Sequence, residues 1–259
     1  MMHPTEVEYE RRPYEGQIDA GMKTFMDIMD SVAMEHGTQW SFAGGFPRDL
    51  YKGKHWNDYD VCIRDVPYAR DILEKTGVLA LGQQDGTEIP HDIYCDPYTF
   101  TKSEIPVHWI NADDEWAFAP VRFDFSINQI CLKSDGFFYA PKYAWRDLDR
   151  GIIRKTTDRM TTNLATRAIR FAAKYGFTID TPLNAEIKEA VKEPMGTDIL
   201  LRNCLKMVED EVGDTCFKIM KNRGFPHMEE CKTMGDYIRK LNNMIVSGQG
   251  HREESPGGY

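Results

Sequence analysis

Four residues, Asn57-Asp58-Tyr59-Asp60, constrain the fold most, because they put two carboxylates one alternation apart on a strand-forming run. Side chains alternate along an extended segment, so Asp58 and Asp60 share one face while Tyr59, Val61 and Ile63 share the other. One face is then free to be buried while the other stays acidic. Like charges this close repel unless a cation lies between them, so the pair reads as a divalent-metal clamp. An exposed acidic strand end is the alternative for a bare Asp-x-Asp. The stretch Gly44-Gly45-Phe46-Pro47-Arg48-Asp49, just upstream, favours the catalytic reading. Glycines let backbone amides approach a polyphosphate where side chains would collide, and the planar fork of an arginine suits phosphate. The competing explanation has Arg48 and Asp49 merely capping and charge-balancing a surface helix.

The chain has 259 residues, enough for one large domain or two small ones with a real core. Hydrophobic residues make up 41%, and no run approaches the roughly 18 apolar residues that cross a bilayer. The start, Met1-Met2-His3-Pro4-Thr5-Glu6, lacks the basic end and apolar stretch of a signal peptide, so a cytoplasmic protein is expected. Six scattered cysteines form no Cys-x-x-Cys pair and seven histidines no His-x-x-x-His pair, which argues against zinc and redox motifs. Cys62 and Cys131 lie in apolar runs and read as small core residues. The net charge of −9 argues against a protein that coats nucleic acid through many phosphate contacts. It leaves room for a nucleic-acid end in a local basic groove, or for a phosphorylated ligand with magnesium.

Ile18, Met22, Phe25, Met29 and Val32 predict an amphipathic helix over residues 18–33, stopped by Gly37. A short strand over residues 39–43 follows, then the glycine turn, a short helix opened by Pro47, and a strand over residues 59–63. Pro67 starts a helix with Ala69, Ile72 and Leu73 inward. Further strands are predicted over residues 78–81, 91–94, 105–110 and 123–132, with Asp113-Asp114-Glu115 in a solvated loop. In the last of these, Asp124, Ser126 and Asn128 oppose Phe123, Phe125 and Ile127. Closing strands over residues 137–139 and 151–153 are joined by a turn-rich stretch.

After Thr162 the texture becomes helical, beginning with the stripe Leu164, Ala165, Ala168, Ile169, Ala172 and Ala173 up to Gly176. Short helices around Ile187 to Val191 and Ile199 to Val208 follow, then one over residues 234–245. The organisation expected is an α/β head over residues 1–155, a helical part over 156–247 and a frayed tail over 248–259. Arg167, Arg170 and Lys174 recur at three- and four-residue spacing, as a basic stripe for a phosphate backbone or as an ordinary solvated helix face.

An acidic strand behind a glycine turn suits metal-assisted phosphoryl or nucleotidyl transfer. One cation would activate a hydroxyl, and a second would neutralise the β,γ-phosphates and the departing pyrophosphate. Neither a P-loop nor a Gly-x-Gly-x-x-Gly fingerprint is present, so kinase and Rossmann readings drop away.

Several ordered motifs then carry a resemblance. Gly44-Gly45-Phe46-Pro47-Arg48-Asp49-Leu50 with Lys52-Gly53-Lys54 and Asp58-Tyr59-Asp60 resembles the head of the class II (bacterial-type) tRNA nucleotidyltransferases and poly(A) polymerases. That family lies within the DNA polymerase β-like nucleotidyltransferase superfamily. Arg122-Phe123-Asp124-Phe125-Ser126-Ile127-Asn128 resembles the family's Arg-Arg-Asp-Phe-Thr-Ile-Asn, with Phe123 in place of the second arginine. Arg146-Asp147-Leu148 and Ile152-Ile153-Arg154 follow its closing strands, and residues 167–177 its first neck helix. The similarity spans about residues 18 to 183.

The resemblance implies an α+β fold: a polymerase β-like head with a mixed or antiparallel sheet and flanking helices, then a short helical neck and body. It implies Asp58 and Asp60 as catalytic metal ligands, and Gly44, Gly45 and Arg48 on the triphosphate. Asp124 and Asn128 would position the nucleotide, and Arg167, Arg170 and Lys174 would touch RNA. Two Mg2+ ions, or Mn2+ in their place, are the implied cofactors. The implied partners are an NTP, ATP foremost, and an RNA 3′ end, tRNA foremost, with a homo-oligomer left open.

Besides Phe123, the chain departs from the pattern in four places. His108 replaces a third carboxylate as candidate metal ligand. Met160, Thr161 and Leu164 stand where the family reads the base with Glu-Asp-x-x-Arg. Ala140-Pro141-Lys142-Tyr143-Ala144-Trp145 replaces Asp-Pro-Phe-Gly-Gly, and the helical part after Pro182 is short. Two alternatives therefore stay open: a catalytically decayed module that binds NTP or RNA, and NMP transfer to a protein or small molecule.

Overall fold

The computed structural model describes residues 7–16, 18, 20–37, 39–56, 59–64, 92–95, 107–112, 123–158, 160–192 and 196–249. The chain divides into two compact units, 1–146 and 147–259. The first unit is built on a seven-stranded sheet of order β1-β7-β6-β2-β3-β5-β4. Its strands are β1 Tyr9–Pro13, β2 Trp40–Ala43, β3 Tyr59–Arg64, β4 Asp92–Cys95, β5 Val107–Ala112, β6 Cys131–Leu132 and β7 Phe137–Pro141. Only β3 and β5 pair in parallel; the other neighbours are antiparallel, so the sheet is mixed, as expected.

One face of this sheet is aromatic. Phe42 pairs in register with Val61 and Leu132, and all three are buried together with Trp40 and Tyr59. Helices α1 Ala20–His36 and α2 Gly45–Tyr51 bring aromatic rings to this face. Met22, Phe25, Met26 and Met29 form the buried stripe of α1, close to the predicted one. Phe25 stacks on Phe42 with ring centroids 5.4 Å apart, and Trp40 Nε1 donates to Asp30 Oδ1 at 2.8 Å. From α2, Phe46 meets Phe42 and Tyr59 edge-on at 5.0 and 4.6 Å.

Around this sheet, β1 and a helix after β7 escaped the sequence pattern. β1 is an edge strand whose charged residues Glu10, Arg11 and Arg12 hide its alternation. The stretch expected to be turn-rich is instead largely α3, Lys142–Arg150. Ala144, Trp145 and Leu148 make its buried face, and Gly151, with φ +65°, ends it. Trp145 Nε1 donates to the Glu10 carbonyl at 2.9 Å, while the Arg12 guanidinium lies 4.3 Å above its ring.

The continuous strand expected over residues 123–132 is not formed. Asn128 and Gln129 donate backbone N–H groups to the carbonyls of Phe125 and Ser126, closing a 3₁₀ turn over Ser126–Asn128. Extended structure resumes only at β6. Residues 125–132 are all buried, so apolar and polar positions do not divide into a wet and a dry face. The helix expected from Pro67, the strand over 78–81 and the loop at Asp113-Asp114-Glu115 lie outside the described residues.

In the second unit, β8 Ile152–Ile153 pairs in parallel with β9 Thr178–Ile179. Helix α4, Thr162–Tyr175, lies between them in sequence, capped by Thr161 and ended by Gly176 in the left-handed region. Four more helices follow: α5 Thr181–Ala190, α6 Thr197–Glu209, α7 Gly213–Asn222 and α8 Met234–Val246. α7 was not foreseen. Leu205 and Val208, counted in the α6 pattern, are exposed; Leu200, Cys204 and Met207 form its buried stripe. Thr233 and Asp236 close a capping box at the start of α8. Among the described residues no helix is long and apolar enough to cross a membrane.

Replacing Phe42 by alanine removes the ring that Phe25, Trp40, Phe46 and Tyr59 all touch. Phe42→Ala is expected to cost about 3–5 kcal/mol, read as a lower urea midpoint. Met34→Ala, at an exposed position, should stay within about 0.5 kcal/mol.

Candidate active site

β2 runs into α2 through Gly44 alone, at φ +68° and ψ −121°. A side chain is strongly disfavoured in that conformation. Space gives a second reason for glycine. A Cβ on Gly44 would stand 2.7 Å from Asp60 Oδ2 and 3.2 Å from the ring of Phe123. The Asp60 carboxylate is therefore seated directly against the turn. Gly45 is the first residue of α2.

Asp60 sits near the middle of the sheet, paired in register with Ala43 on β2 and His108 on β5. It is half-buried, whereas its neighbours Tyr59 and Val61 are buried, so the predicted alternation holds over these residues. Asp58 lies outside the described residues. Register brings position 108, the candidate third ligand, beside Asp60 at the level of the backbone. Next along β3, burial first and then the Asp60 charge push the Cys62 thiol up, so no thiolate nucleophile forms here.

Behind the turn lies a buried polar cluster. Arg48, Asp49 and Asn128 are each at most 4% exposed. Arg48 Nε and Nη2 donate to Asp49 Oδ1 at 3.2 Å, and Nη2 also reaches Oδ2 at 3.3 Å. Arg48 Nη1 donates to Asn128 Oδ1. A guanidinium only donates, so the amide oxygen of Asn128 must face it and the amide NH2 must point away. Arg48 thus directs its fork to two protein groups and ties α2 to the 3₁₀ turn. Asp49, read at most as a helix charge, is the residue that sequence reasoning undervalued; its place beside Arg48 on a short helix was the available signal.

The segment leading into this turn is braced as well. Gln129, fully buried, donates Nε2 to the Phe123 carbonyl at 3.2 Å and accepts from the Tyr143 hydroxyl. Phe123 and Asp124 are half-buried. Gly44 and Asp60 thus come together with Phe123, and Arg48 with Asn128 and Asp49. Among the described residues, no group of three or more His, Cys, Asp and Glu gathers as a metal site. What is present suits a hard cation: a carboxylate oxygen with no side chain crowding it from the turn.

The candidate RNA contacts lie in the second unit. Lys174 Nζ and Arg170 Nε reach the two oxygens of Asp210 at 3.0 and 3.4 Å, and the Asp210 side chain is 5% exposed. Two of the three stripe residues therefore converge on one buried carboxylate, and Arg167 is half-buried. Thr161 accepts the Leu164 N–H at 3.2 Å as the cap of α4, while Leu164 is buried. These positions serve helix architecture where the family pattern reads a base.

A mixed sheet with aromatic packing on one face and Asp60 set against a glycine turn on the other is the part of the chain that resembles, in fold, the head of the class II tRNA nucleotidyltransferase-like proteins. The chain is 26% identical over 200 residues to the CCA-adding enzyme of Bacillus pumilus (strain SAFR-032), covering 72% of this chain and 49% of that protein. A CCA-adding enzyme solved in complex with ATP superposes with a TM-score of 0.67 at 20% identity, covering 83% of this chain and 54% of the other. The Thermotoga maritima CCA-adding enzyme complexed with tRNA gives 0.61 at 20% identity, with 91% and 55% covered. The chain therefore spans about half the length of these relatives. No family model matches it.

Asp49→Leu leaves the Arg48 cation buried without its carboxylate and is expected to cost about 3–5 kcal/mol in urea unfolding. Gly44→Ala forces a Cβ into a disfavoured conformation and against Asp60, for a loss of about 1–3 kcal/mol by the same measurement.

Proposed function

We propose that the chain is a magnesium-dependent nucleotidyltransferase that moves NMP from an NTP, ATP foremost, to an RNA 3′ hydroxyl, with tRNA the first acceptor to test. The observation that carries this reading is the seat of the Asp60 carboxylate against the side-chain-free Gly44 turn. That arrangement suits a polyphosphate approaching backbone amides beside a metal-binding oxygen. The likeness to CCA-adding enzymes, some solved with CTP, ATP or tRNA, supports the same reading.

In this mechanism the acceptor oxygen attacks the α-phosphorus as the bond to the β-phosphate oxygen breaks, and pyrophosphate leaves. Asp58 and Asp60 would hold two magnesium ions, with His108 as a further candidate ligand. Bound magnesium supplies charge neutralisation for the phosphates. Gly44, Gly45 and Arg48 are assigned to the triphosphate, and Asp124 and Asn128 orient the nucleotide. Arg48 also holds Asn128, whose amide NH2 is thereby set as a donor. Arg167, with Arg170 and Lys174, is assigned to the RNA backbone. Residues 1–155 act as the head, 156–247 as neck and shortened body, and 248–259 as a tail, in a cytoplasmic protein.

A second reading, a decayed NTP- or RNA-binding module, is favoured by His108, Phe123, Thr161 and Leu164 at positions the family pattern fills with charge. Incubation with radiolabelled NTPs, magnesium and tRNA lacking its terminus separates the two. Label should enter RNA with the wild type and fall to background in the D58A/D60A double variant. Equal incorporation by both proteins defeats the enzyme reading. NTP binding with no pyrophosphate release across many acceptors selects the decayed module, and nuclease-resistant labelled product selects a protein or small-molecule acceptor.

A further inference from the structure

Phe123 departs from the arginine-rich pattern, and its ring stands against the Gly44 turn. Ring atoms Cε1 and Cζ lie 3.2 Å from the point where a Gly44 Cβ would be, and Asp60 Oδ2 lies 2.7 Å from that same point. Ring edge and carboxylate oxygen are thus no more than about 6 Å apart. The rings that stabilise the sheet, those of Trp40, Phe42, Phe46 and Tyr59, pack among themselves on the opposite face. Phe123 is half-buried and borders the polar site instead.

Its position is not left to chance. Gln129 holds the Phe123 carbonyl, and Tyr143 holds Gln129, so the ring is carried on a braced backbone. A preorganised apolar ring beside a carboxylate offers little to a hydrated phosphate. It offers a great deal to a ring with a flat apolar face. In a nucleoside triphosphate whose phosphates lie at the Gly44 turn, the group carried next to the α-phosphate is the nucleoside.

We propose that Phe123 is a specificity-determining contact of the nucleotide site, packing against the nucleoside of the bound triphosphate. The inference rests on the reading of this site as a triphosphate site and adds what grips the rest of the ligand. An arginine here would strengthen the hold on phosphate by charge; phenylalanine makes the hold depend on the nucleoside. The enzyme should therefore discriminate between ATP and a bare polyphosphate far more than an arginine variant does.

Calorimetric titration of the full chain with Mg-ATP and with Mg-tripolyphosphate tests this. Phe123→Ala should weaken ATP about tenfold while leaving tripolyphosphate unchanged. Phe123→Tyr should keep wild-type ATP affinity, and Phe123→Arg should tighten tripolyphosphate and narrow the gap between the two ligands. If Phe123→Ala fails to fold by circular dichroism, Phe123→Leu takes its place against Phe123→Tyr. Unchanged ATP affinity, or equal losses for both ligands, overturns the inference while the triphosphate reading stands. A wild type that binds neither ligand removes both.

Discussion

The close approach of Gly44 to Asp60 is the contact on which the rest of the first unit depends. With φ +68° and ψ −121° at one residue, β2 turns into α2 with no intervening loop. Phe46 then drops onto the aromatic face, and Arg48 and Asp49 are carried into the interior. The core and the candidate site are therefore two faces of the same short strands. A one-residue slip of β3 would drive Asp60 into the rings of Phe42 and Phe46 and expose Tyr59 and Val61. Burial of the aromatic face thus enforces the register that presents the carboxylate.

Electrostatics adds a second layer. A guanidinium taken out of water is tolerated only when its donors are met, and Asp49 and Asn128 meet them. Such an arrangement contributes little net stability compared with apolar packing, but it is intolerant of change. It also fixes an otherwise ambiguous amide, so the chemical character Asn128 presents is decided by a residue 80 positions away. On the same face of β3 as Asp60, the Cys62 thiol is pushed toward its protonated form by burial first and then by the Asp60 charge.

This explains which features could be read from the sequence. α1, β2, β3, α4 and α8 rest on local periods and stop residues, and they appear close to where those signals put them. Gly44 and Asp60 were legible for the same reason: only sixteen positions separate the turn from the strand. Contacts that join distant segments left no local trace. Asn128 holding Arg48, and Asp210 drawing in Arg170 and Lys174, are decided by folding; three cations at helical spacing look alike whether they face water or a buried carboxylate. β1 and α3 were missed because charged residues interrupt their apolar pattern. The 3₁₀ turn was missed because buried residues on both sides imitate a strand.

The departures from the family pattern share one direction, replacing charge with neutral side chains at Phe123, Thr161 and Leu164. They are not loose ends that single substitutions would reverse. Leu164 lies in the core of the second unit at 7% exposure, so an arginine there would exchange apolar contacts for a charge that must find water or a partner. Thr161 supplies the cap on which α4 starts, a task aspartate could share but one that commits its side chain to the backbone. The start of α4 is thus committed to helix stability. Under the proposed reading, the nucleotide contact carried by the first unit is the ring of Phe123, braced by Gln129 and set against the Gly44 turn, and it acts by shape rather than by charge.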